Sequence, residues 1–127
     1  MAEFMKPYGG QTYSLMRIIV GALFFCHGLS KLFGLPVAPP PRAPPFILYV
    51  SGTLEFVCGA LVALGLLTRW AAFITSGLMA FAYWLAHGTK SFFPMVNQGE
   101  LAVLYCFVFL FIAAHGAGIW SVDTTRK

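Results

Sequence analysis

The stretch YSLMRIIVGALFFCHGLSKLFG, residues 13–34, decides the fold of this chain. It matches the ~20 predominantly apolar residues that an α-helix needs to cross the ~30 Å hydrocarbon layer of a membrane. Its apolar region is longer than that of a cleavable signal peptide, and no Ala-x-Ala cleavage site precedes Pro36. We therefore expect a transmembrane helix that the mature protein retains.

Composition extends this expectation to all 127 residues. Hydrophobic residues make up 59% of the sequence and charged residues only 9%, whereas soluble domains carry about 25% charged residues. So few polar side chains could not cover a soluble globule. The formal charge of +4 comes from basic residues scattered along the chain, of which only Arg126 and Lys127 are adjacent, without the basic stripe that binds a phosphate backbone. We predict an integral membrane protein that contacts the lipid bilayer and binds no nucleic acid.

Three more apolar stretches of similar length follow the first. The predicted helices cover residues 13–34, 46–67, 70–86 and 99–117. Each is expected to be helical because backbone in lipid must satisfy its own hydrogen bonds. Small residues at heptad spacing would let the first two helices pack closely; they are Ser14, Gly21 and Gly28 on the first, and Gly52 and Gly59 on the second. The sequence predicts one all-α domain, residues 1–127, built as an integral membrane four-helix bundle.

An even number of spans places both chain termini on the same side of the membrane. That side would hold Lys6, Arg17, Arg69, Arg126 and Lys127, and the other side Lys31, Arg42 and Lys90. The positive-inside rule then predicts cytoplasmic N- and C-termini. The proline-rich segment 35–45 becomes an extended outer connection. Residues 92–95, in the second outer loop, form either an interfacial segment that turns back toward the lipid or an ordinary surface loop.

Six polar side chains are predicted to converge on the outer half of the bundle. They are His27, Lys31, Glu55, His87, Asn97 and Glu100. His27 and Lys31 share a helix face because residues i and i+4 are neighbours. Glu55 is too deep and too short to reach the surface, so it requires Lys31, His27 or His87 as a partner, or else a proton.

Two interpretations of this cluster stay open. In one, the polar residues only pin the first helix to the second. In the other, they form a pocket suited to a quinone head group or to a proton-coupled step. At the inner face, Arg17, Arg69 and Asp123 are expected to anchor the bundle, with Arg17 either reaching lipid phosphates or pairing with Asp123.

The cysteines and histidines give no sign of a metal or covalent cofactor. Cys26, Cys58 and Cys106 lie on different predicted helices without a C-x-x-C motif, so we interpret them as packing residues. His27 and His87 lie at different estimated depths, which disfavours a haem between them. We therefore predict no metal site, and at most a bound quinone or lipid.

The ordered set of polar and small residues resembles the DoxX family. The likeness covers nearly the whole chain and is carried by Arg17-x-x-x-Gly21, His27-Gly28-x-x-Lys31-Leu32-Phe33, Glu55-x-x-x-Gly59, Gly65-x-x-Thr68-Arg69, His87, Asn97, Gly99-Glu100 and Gly116-x-Gly118-x-x-Ser121-x-Asp123. The resemblance implies a small multi-pass protein of a bacterial or archaeal inner membrane. The family takes its name from a subunit linked to a thiosulfate:quinone oxidoreductase, and other members are associated with thiol and oxidative-stress systems.

Three functions follow as hypotheses. The first is a membrane subunit of a quinone-linked oxidoreductase system, which is not a complete enzyme alone and works with a protein partner. The second is a purely structural accessory subunit that packs beside a larger membrane complex or a second copy of itself. The third is a carrier of small solutes or protons.

Overall fold

The computed structural model describes residues 3–39 and 43–126. Within those ranges all regular secondary structure is helical, which confirms the all-α prediction. A 3-10 turn, Lys6–Tyr8, precedes six α-helices: α1 (Gly9–Phe33), α2 (Pro45–Leu64), α3 (Thr68–Ala86), α4 (Pro94–Asn97), α5 (Glu100–His115) and α6 (Val122–Thr125). Four of these helices are long, and α4 and α6 are four-residue segments.

The turn between α2 and α3 lies earlier than the sequence indicated. The predicted bounds, 46–67 and 70–86, put it at residues 68–69, but Thr68 and Arg69 already belong to α3. The chain reverses at Gly65 and Leu67, whose φ angles of 71° and 49° are left-handed. Glycine adopts this conformation without a steric penalty, and α2 therefore ends at its C-cap Gly65.

The long helices form two hairpins, because α1 packs along α2 and α3 packs along α5. In the first hairpin the two backbones touch. A Cβ atom added to Gly28 would lie 2.4 Å from the backbone nitrogen of Phe56, and one added to Gly59 would lie 2.5 Å from that of Phe25. No side chain fits there. The predicted close approach at the small residues is therefore confirmed for these glycines.

Aromatic and aliphatic side chains join the two hairpins. Phe24 of α1 meets Tyr105 and Phe109 of α5 edge to face, with ring centroids 5.4 Å and 4.9 Å apart. Phe24, Phe109 and Ile112 are almost completely buried. This core lies between α1 and α5, so it closes the two hairpins into one bundle.

The outside of the bundle is apolar. Each long helix exposes large hydrophobic side chains, among them Leu15, Ile19, Leu23, Val57, Leu64, Phe73, Phe81, Trp84, Leu104, Phe107 and Phe111. A soluble monomer rarely exposes contiguous patches of this extent. Among the described residues, Lys6–Phe33 and Pro45–Leu64 are long and apolar enough to cross a membrane, and Glu100–His115 is a shorter apolar helix.

The bundle has two distinct ends. We call the end that holds both chain termini and the α2–α3 turn the terminal end, and the opposite end the loop end. At the loop end, residues 34–39 are not helical, and Phe92, Phe93 and Met95 are highly exposed. Arg42 and Lys127, two of the charges behind the predicted orientation, lie outside the described residues, so cytoplasmic termini stay a prediction.

Candidate functional site

An ion pair between a half-buried lysine and a buried glutamate links α1 to α2 near the loop end. Lys31 Nζ lies 2.7 Å from Glu55 Oε1 and also donates a hydrogen bond of 3.1 Å to Ser51 Oγ. Of the three partners considered for Glu55, the structure gives Lys31. Gly52 makes the approach possible, because a Cβ atom there would lie 2.9 Å from Lys31 Cβ.

The second carboxylate oxygen of Glu55 is buried and accepts no hydrogen bond from the described residues. The side chain is only 3% exposed. An unsatisfied buried acceptor normally costs about 1–3 kcal/mol. Such a group in a native structure requires an explanation, and a ligand or an ordered water is the usual one.

Glu55 borders a cavity of about 250 Å³ between the two hairpins. Polar groups from three long helices meet there, namely His27 and Lys31 of α1, Glu55 of α2 and His87 just after α3. The remaining wall is mostly apolar and consists of Phe24, Met79, Ala82, Gln98, Leu101, Ala102 and Tyr105. A mostly apolar cavity with a few convergent polar groups is the usual form of a small-molecule site.

A hydrogen bond to the backbone of Asn97 fixes the orientation of His87. Its Nδ1 atom lies 3.0 Å from the carbonyl oxygen of Asn97. The Asn97 side chain is buried and holds the loop in place. Its Nδ2 atom donates to Tyr83 Oη and to the Ser91 carbonyl, and its Oδ1 atom accepts from the Gly99 backbone N–H.

Two of the six predicted polar residues do not border the cavity. Asn97 turns its side chain into the 91–99 loop because three hydrogen-bond partners lie there. Glu100 is exposed in the first turn of α5, where a negative charge is favourable beside the helix N-terminus. The cavity therefore brings together His27, Lys31, Glu55 and His87.

Arg17 at the terminal end is completely buried. Its Nη1 atom donates to the carbonyls of Val62 and Ala63, the last turn of α2, at 2.7 and 2.8 Å. Its Nη2 atom donates to the carbonyl of Trp120 at 2.7 Å. The expectations that Arg17 reaches lipid phosphates or pairs with Asp123 are wrong, because backbone carbonyls accept from both of its Nη atoms. Its buried Nε atom has no hydrogen-bond partner among the described residues.

Arg69 repeats this arrangement in the second hairpin. It donates to the carbonyls of Ala113 and Ala114 at 3.0 and 2.6 Å, and so satisfies the last turn of α5. In both hairpins, an arginine near the start of the first helix caps the C-terminus of the second helix. The last carbonyls of an α-helix have no partner within the helix, and the positive charge also matches the helix dipole.

Asp123 caps a helix N-terminus, that of α3. It accepts hydrogen bonds from the backbone N–H groups of Leu67 and Thr68, both 3.0 Å long, and from Thr68 Oγ1 at 2.8 Å. Burial by itself raises the pKa of Asp123, but the hydrogen bonds from Thr68 and Leu67 and the charge of Arg126 outweigh it and lower the pKa. Asp123 thus fixes the start of α3.

The terminal end also carries an open cavity of about 390 Å³ beside Arg69, His115 and Asp123. Arg69 and Asp123, which line this cavity, already serve as helix caps. We therefore attribute the cavity to the turn that places these caps and assign it no ligand. Over the described ranges, no three His, Cys, Asp or Glu side chains gather as metal ligands. The three cysteines are free, and Cys58 is buried.

Ser51, Gln98 and Tyr105 belong to the loop-end site, although the sequence interpretation did not select them. Ser51 carried a usable signal, since it precedes Glu55 by one helical turn and so shares its face. Tyr105 and Gln98 reach the cavity only through the packing of α5 against α1, which the sequence does not show.

The fold and this site define a helical membrane protein with a polar, charge-bearing cavity inside its bundle. The family model described as DoxX matches residues 13–88, and the chain belongs to the DoxX family. An uncharacterised protein of Haemophilus influenzae is 38% identical, with 95% of this chain and 92% of that protein aligned. An uncharacterised membrane protein of Mycobacterium tuberculosis is 29% identical, with 95% and 85% aligned.

A third relative is similar over a shorter stretch. The Bacillus subtilis protein named "Putative oxidoreductase CatD" is 41% identical over 59 residues, which cover 43% of this chain and 44% of that protein. No solved structure matches the chain.

Proposed function

We propose that this protein is an integral membrane subunit of a redox system and that it binds a quinone in the loop-end cavity. The observation that carries the proposal is the Glu55 carboxylate. It is buried in an apolar bundle, held at one oxygen by Lys31, and without a hydrogen-bond partner at the other oxygen among the described residues. Ionisable groups at such depth in a membrane protein are costly and usually functional.

The dimensions and chemistry of the cavity fit a quinone head group. A volume of about 250 Å³ is slightly below the usual range for complete ligand pockets, roughly 300–1,000 Å³. It therefore suits a single-ring head group whose tail extends into the lipid. Phe24, Met79 and Tyr105 supply apolar contact, and the histidines supply hydrogen bonds. The name of the Bacillus subtilis relative also supports a redox association.

The proposal includes the setting of the subunit. The four long helices cross a bacterial or archaeal inner membrane, the termini are cytoplasmic, and the cavity lies in the outer half. The chain contributes a binding site, and a separate protein partner contributes the electron carrier. The exposed loop-end residues Phe92, Phe93 and Met95 would lie at the membrane interface.

Extraction of bound quinone from the purified protein tests the proposal. We expect the native protein to retain quinone in stoichiometric amount and the Glu55→Gln variant to lose it while staying folded. Glu100→Gln is the matched control, since it changes the exposed carboxylate at the same end of the bundle and should retain quinone. Equal retention by Glu55→Gln and the native protein would contradict the proposal.

The second candidate is a structural accessory subunit, favoured by the way Lys31 and Glu55 join α1 to α2. In that case lipid occupies the cavity, and the purified protein carries phospholipid but no quinone. Small-solute or proton transport is the third candidate, and it predicts flux into liposomes that contain this protein alone.

A further inference from the structure

We propose that the loop-end cavity prefers the quinol, the reduced form with two hydroxyl donors, over the quinone. This inference rests on the proposed function and narrows its ligand. It follows from two polar atoms, Glu55 Oε2 and His87 Nε2. The contacts of an ionised Glu55 and a neutral His87 leave both atoms as acceptors.

Glu55 provides the first fixed acceptor. Its Oε1 atom is bonded to the ammonium of Lys31 at 2.7 Å, so the carboxylate is paired with a positive charge. An ionised carboxylate can only accept hydrogen bonds. The partnerless Oε2 atom is buried, and Glu55 borders the cavity. A ligand that occupies the cavity beside it must offer a donor, or the acceptor stays unsatisfied.

His87 provides the second fixed acceptor. Its Nδ1 atom lies 3.0 Å from the carbonyl oxygen of Asn97. A carbonyl oxygen only accepts, so Nδ1 carries the proton and donates. A neutral imidazole has one donor and one acceptor nitrogen, which leaves Nε2 as an acceptor. His87 also borders the cavity.

The other polar groups of the cavity do not reverse this pattern. Lys31 donates to Glu55 and Ser51, and the third N–H of its ammonium can serve a quinone carbonyl or a quinol hydroxyl, since a hydroxyl both donates and accepts. The Tyr105 hydroxyl, the Gln98 amide and a neutral His27 imidazole can also donate and accept, so they adapt to either form of the ligand. The two acceptors, on α2 and after α3, therefore favour a ligand that offers hydroxyl donors over one that offers only carbonyl oxygens. A quinone offers two carbonyl oxygens instead, and would leave both acceptors unsatisfied.

Asn97 is then a positioning residue. It does not border the cavity, but its side chain pins the loop through Tyr83, Ser91 and Gly99. Its backbone carbonyl, held in this way, selects the protonated nitrogen of His87. The buried side chain of Asn97 thus acts on the cavity indirectly. It holds the Asn97 carbonyl in place, and that carbonyl determines which nitrogen of His87 is left to face a ligand as an acceptor.

Equilibrium binding to the full-length protein in lipid nanodiscs, without oxygen, tests the preference. The probes are decylubiquinol, decylubiquinone and the dimethyl ether of decylubiquinol, which keeps the reduced ring but has no donor. Empty nanodiscs give the baseline for partition into lipid. We expect the quinol to bind at least about tenfold more tightly than either other probe, the difference that one unsatisfied buried acceptor can produce.

The outcomes separate this inference from the proposed function. If decylubiquinone binds as tightly as decylubiquinol, or more tightly, the quinol preference is wrong and the quinone-binding function stands. If no probe binds above the lipid baseline, both are wrong. If the dimethyl ether binds as well as the quinol, hydrogen-bond donation plays no part and the inference also fails.

A nitrogen NMR measurement on histidine-labelled protein tests the role of Asn97 without any ligand. Under conditions in which the spectrum shows a neutral ring, we expect His87 to carry its proton on Nδ1. Asn97→Ala should mix the two tautomers and reduce the quinol preference, and Tyr83→Phe, a milder change to the same network, should do so partly. Glu100→Gln should change neither. A His87 protonated on Nε2 in the native protein would overturn the inference.

Discussion

Lys31 Nζ lies 2.7 Å from Glu55 Oε1, and this ion pair joins the last turns of α1 to the middle of α2. The pair combines both interpretations that the sequence left open. It connects two helices whose backbones already touch at Gly28 and Gly59, and it also forms part of a cavity wall.

Substitutions at this pair should separate its contribution to stability from its contribution to binding. Glu55→Ala leaves the Lys31 ammonium without its carboxylate and should lower the free energy of unfolding by about 1–3 kcal/mol. Glu55→Gln keeps the size and an acceptor, so its cost should be smaller. Thermal unfolding in detergent measures both.

Lys31→Met is the control from the other side of the pair, since it removes the charge and keeps an apolar side chain of similar length. Loss of folding in both Glu55→Gln and Lys31→Met would favour a purely structural pin. Loss of ligand retention alone in both would favour the site.

Arg17 should tolerate no other cation. A lysine ammonium is a compact point charge and cannot reach the carbonyls of α2 and of Trp120 together, as the forked guanidinium does. Arg17→Lys should therefore lower the free energy of unfolding by about 1.5–3 kcal/mol. Arg69→Lys is the matched comparison, because Arg69 makes similar bonds but is exposed, and should cost about 1 kcal/mol or less. Equal costs would contradict the assigned role of burial.

The glycine contact between α1 and α2 predicts that a glycine-to-alanine substitution changes stability in a way that depends on its position. Gly28→Ala places a Cβ atom 2.4 Å from the Phe56 backbone nitrogen, so the helices must separate, at a cost of about 1–3 kcal/mol. Gly77→Ala on α3 meets nothing within 4 Å and should stabilise its helix by roughly 0.5–1 kcal/mol. Unfolding midpoints of the two variants, measured in the same detergent, should shift in opposite directions.

The capping carboxylate of Asp123 makes stability depend on acidic pH. Its pKa is lowered in the folded protein, so its stabilising effect is fully present above the ordinary aspartate pKa and is lost as the pH falls through the lowered value. Asp123→Asn should unfold at a lower temperature than the native protein at neutral pH, and the difference should shrink in strong acid. A constant difference across this range would rule out the ionised cap.

Membrane orientation follows from the distribution of basic residues and is open to direct measurement. Reporter fusions after Lys127 and within residues 39–45 should report opposite sides of the membrane, with the C-terminal fusion cytoplasmic. A cytoplasmic proline-rich segment would invert the orientation and place the Lys31–Glu55 cavity in the inner half.

The sequence was most informative where local patterns determine the structure. Hydrophobic length predicted helices close to α1, α2, α3 and α5, and glycine spacing predicted the contact at Gly28 and Gly59. The depth of Glu55 required either a partner or a proton, and Lys31 was among the three partners considered. These inferences depend only on helix geometry and on the cost of an unpaired charge in an apolar environment.

The helix caps could not be predicted in the same way. Arg17 and Asp123 find their partners because the chain after α5 turns at Gly116 and Gly118, whose φ angles are 99° and 70°, and folds back under the bundle. Such a turn depends on the packing of distant segments. The position of Asn97 in the sequence likewise suggested a pocket residue. The path of the 91–99 loop instead directs its side chain away from the cavity, toward Tyr83, Ser91 and Gly99.

The capping of Arg17 has a consequence for biosynthesis. Its Nη1 bonds require only the first hairpin, but its Nη2 bond requires Trp120, whose carbonyl is 103 positions further along the chain. If the helices enter the bilayer in chain order, completion of the first hairpin satisfies the Nη1 bonds of Arg17 and leaves Nη2 without its acceptor. The first hairpin must then keep that arginine near the lipid head groups, or near the insertion machinery, until the segment that carries Trp120 has been made.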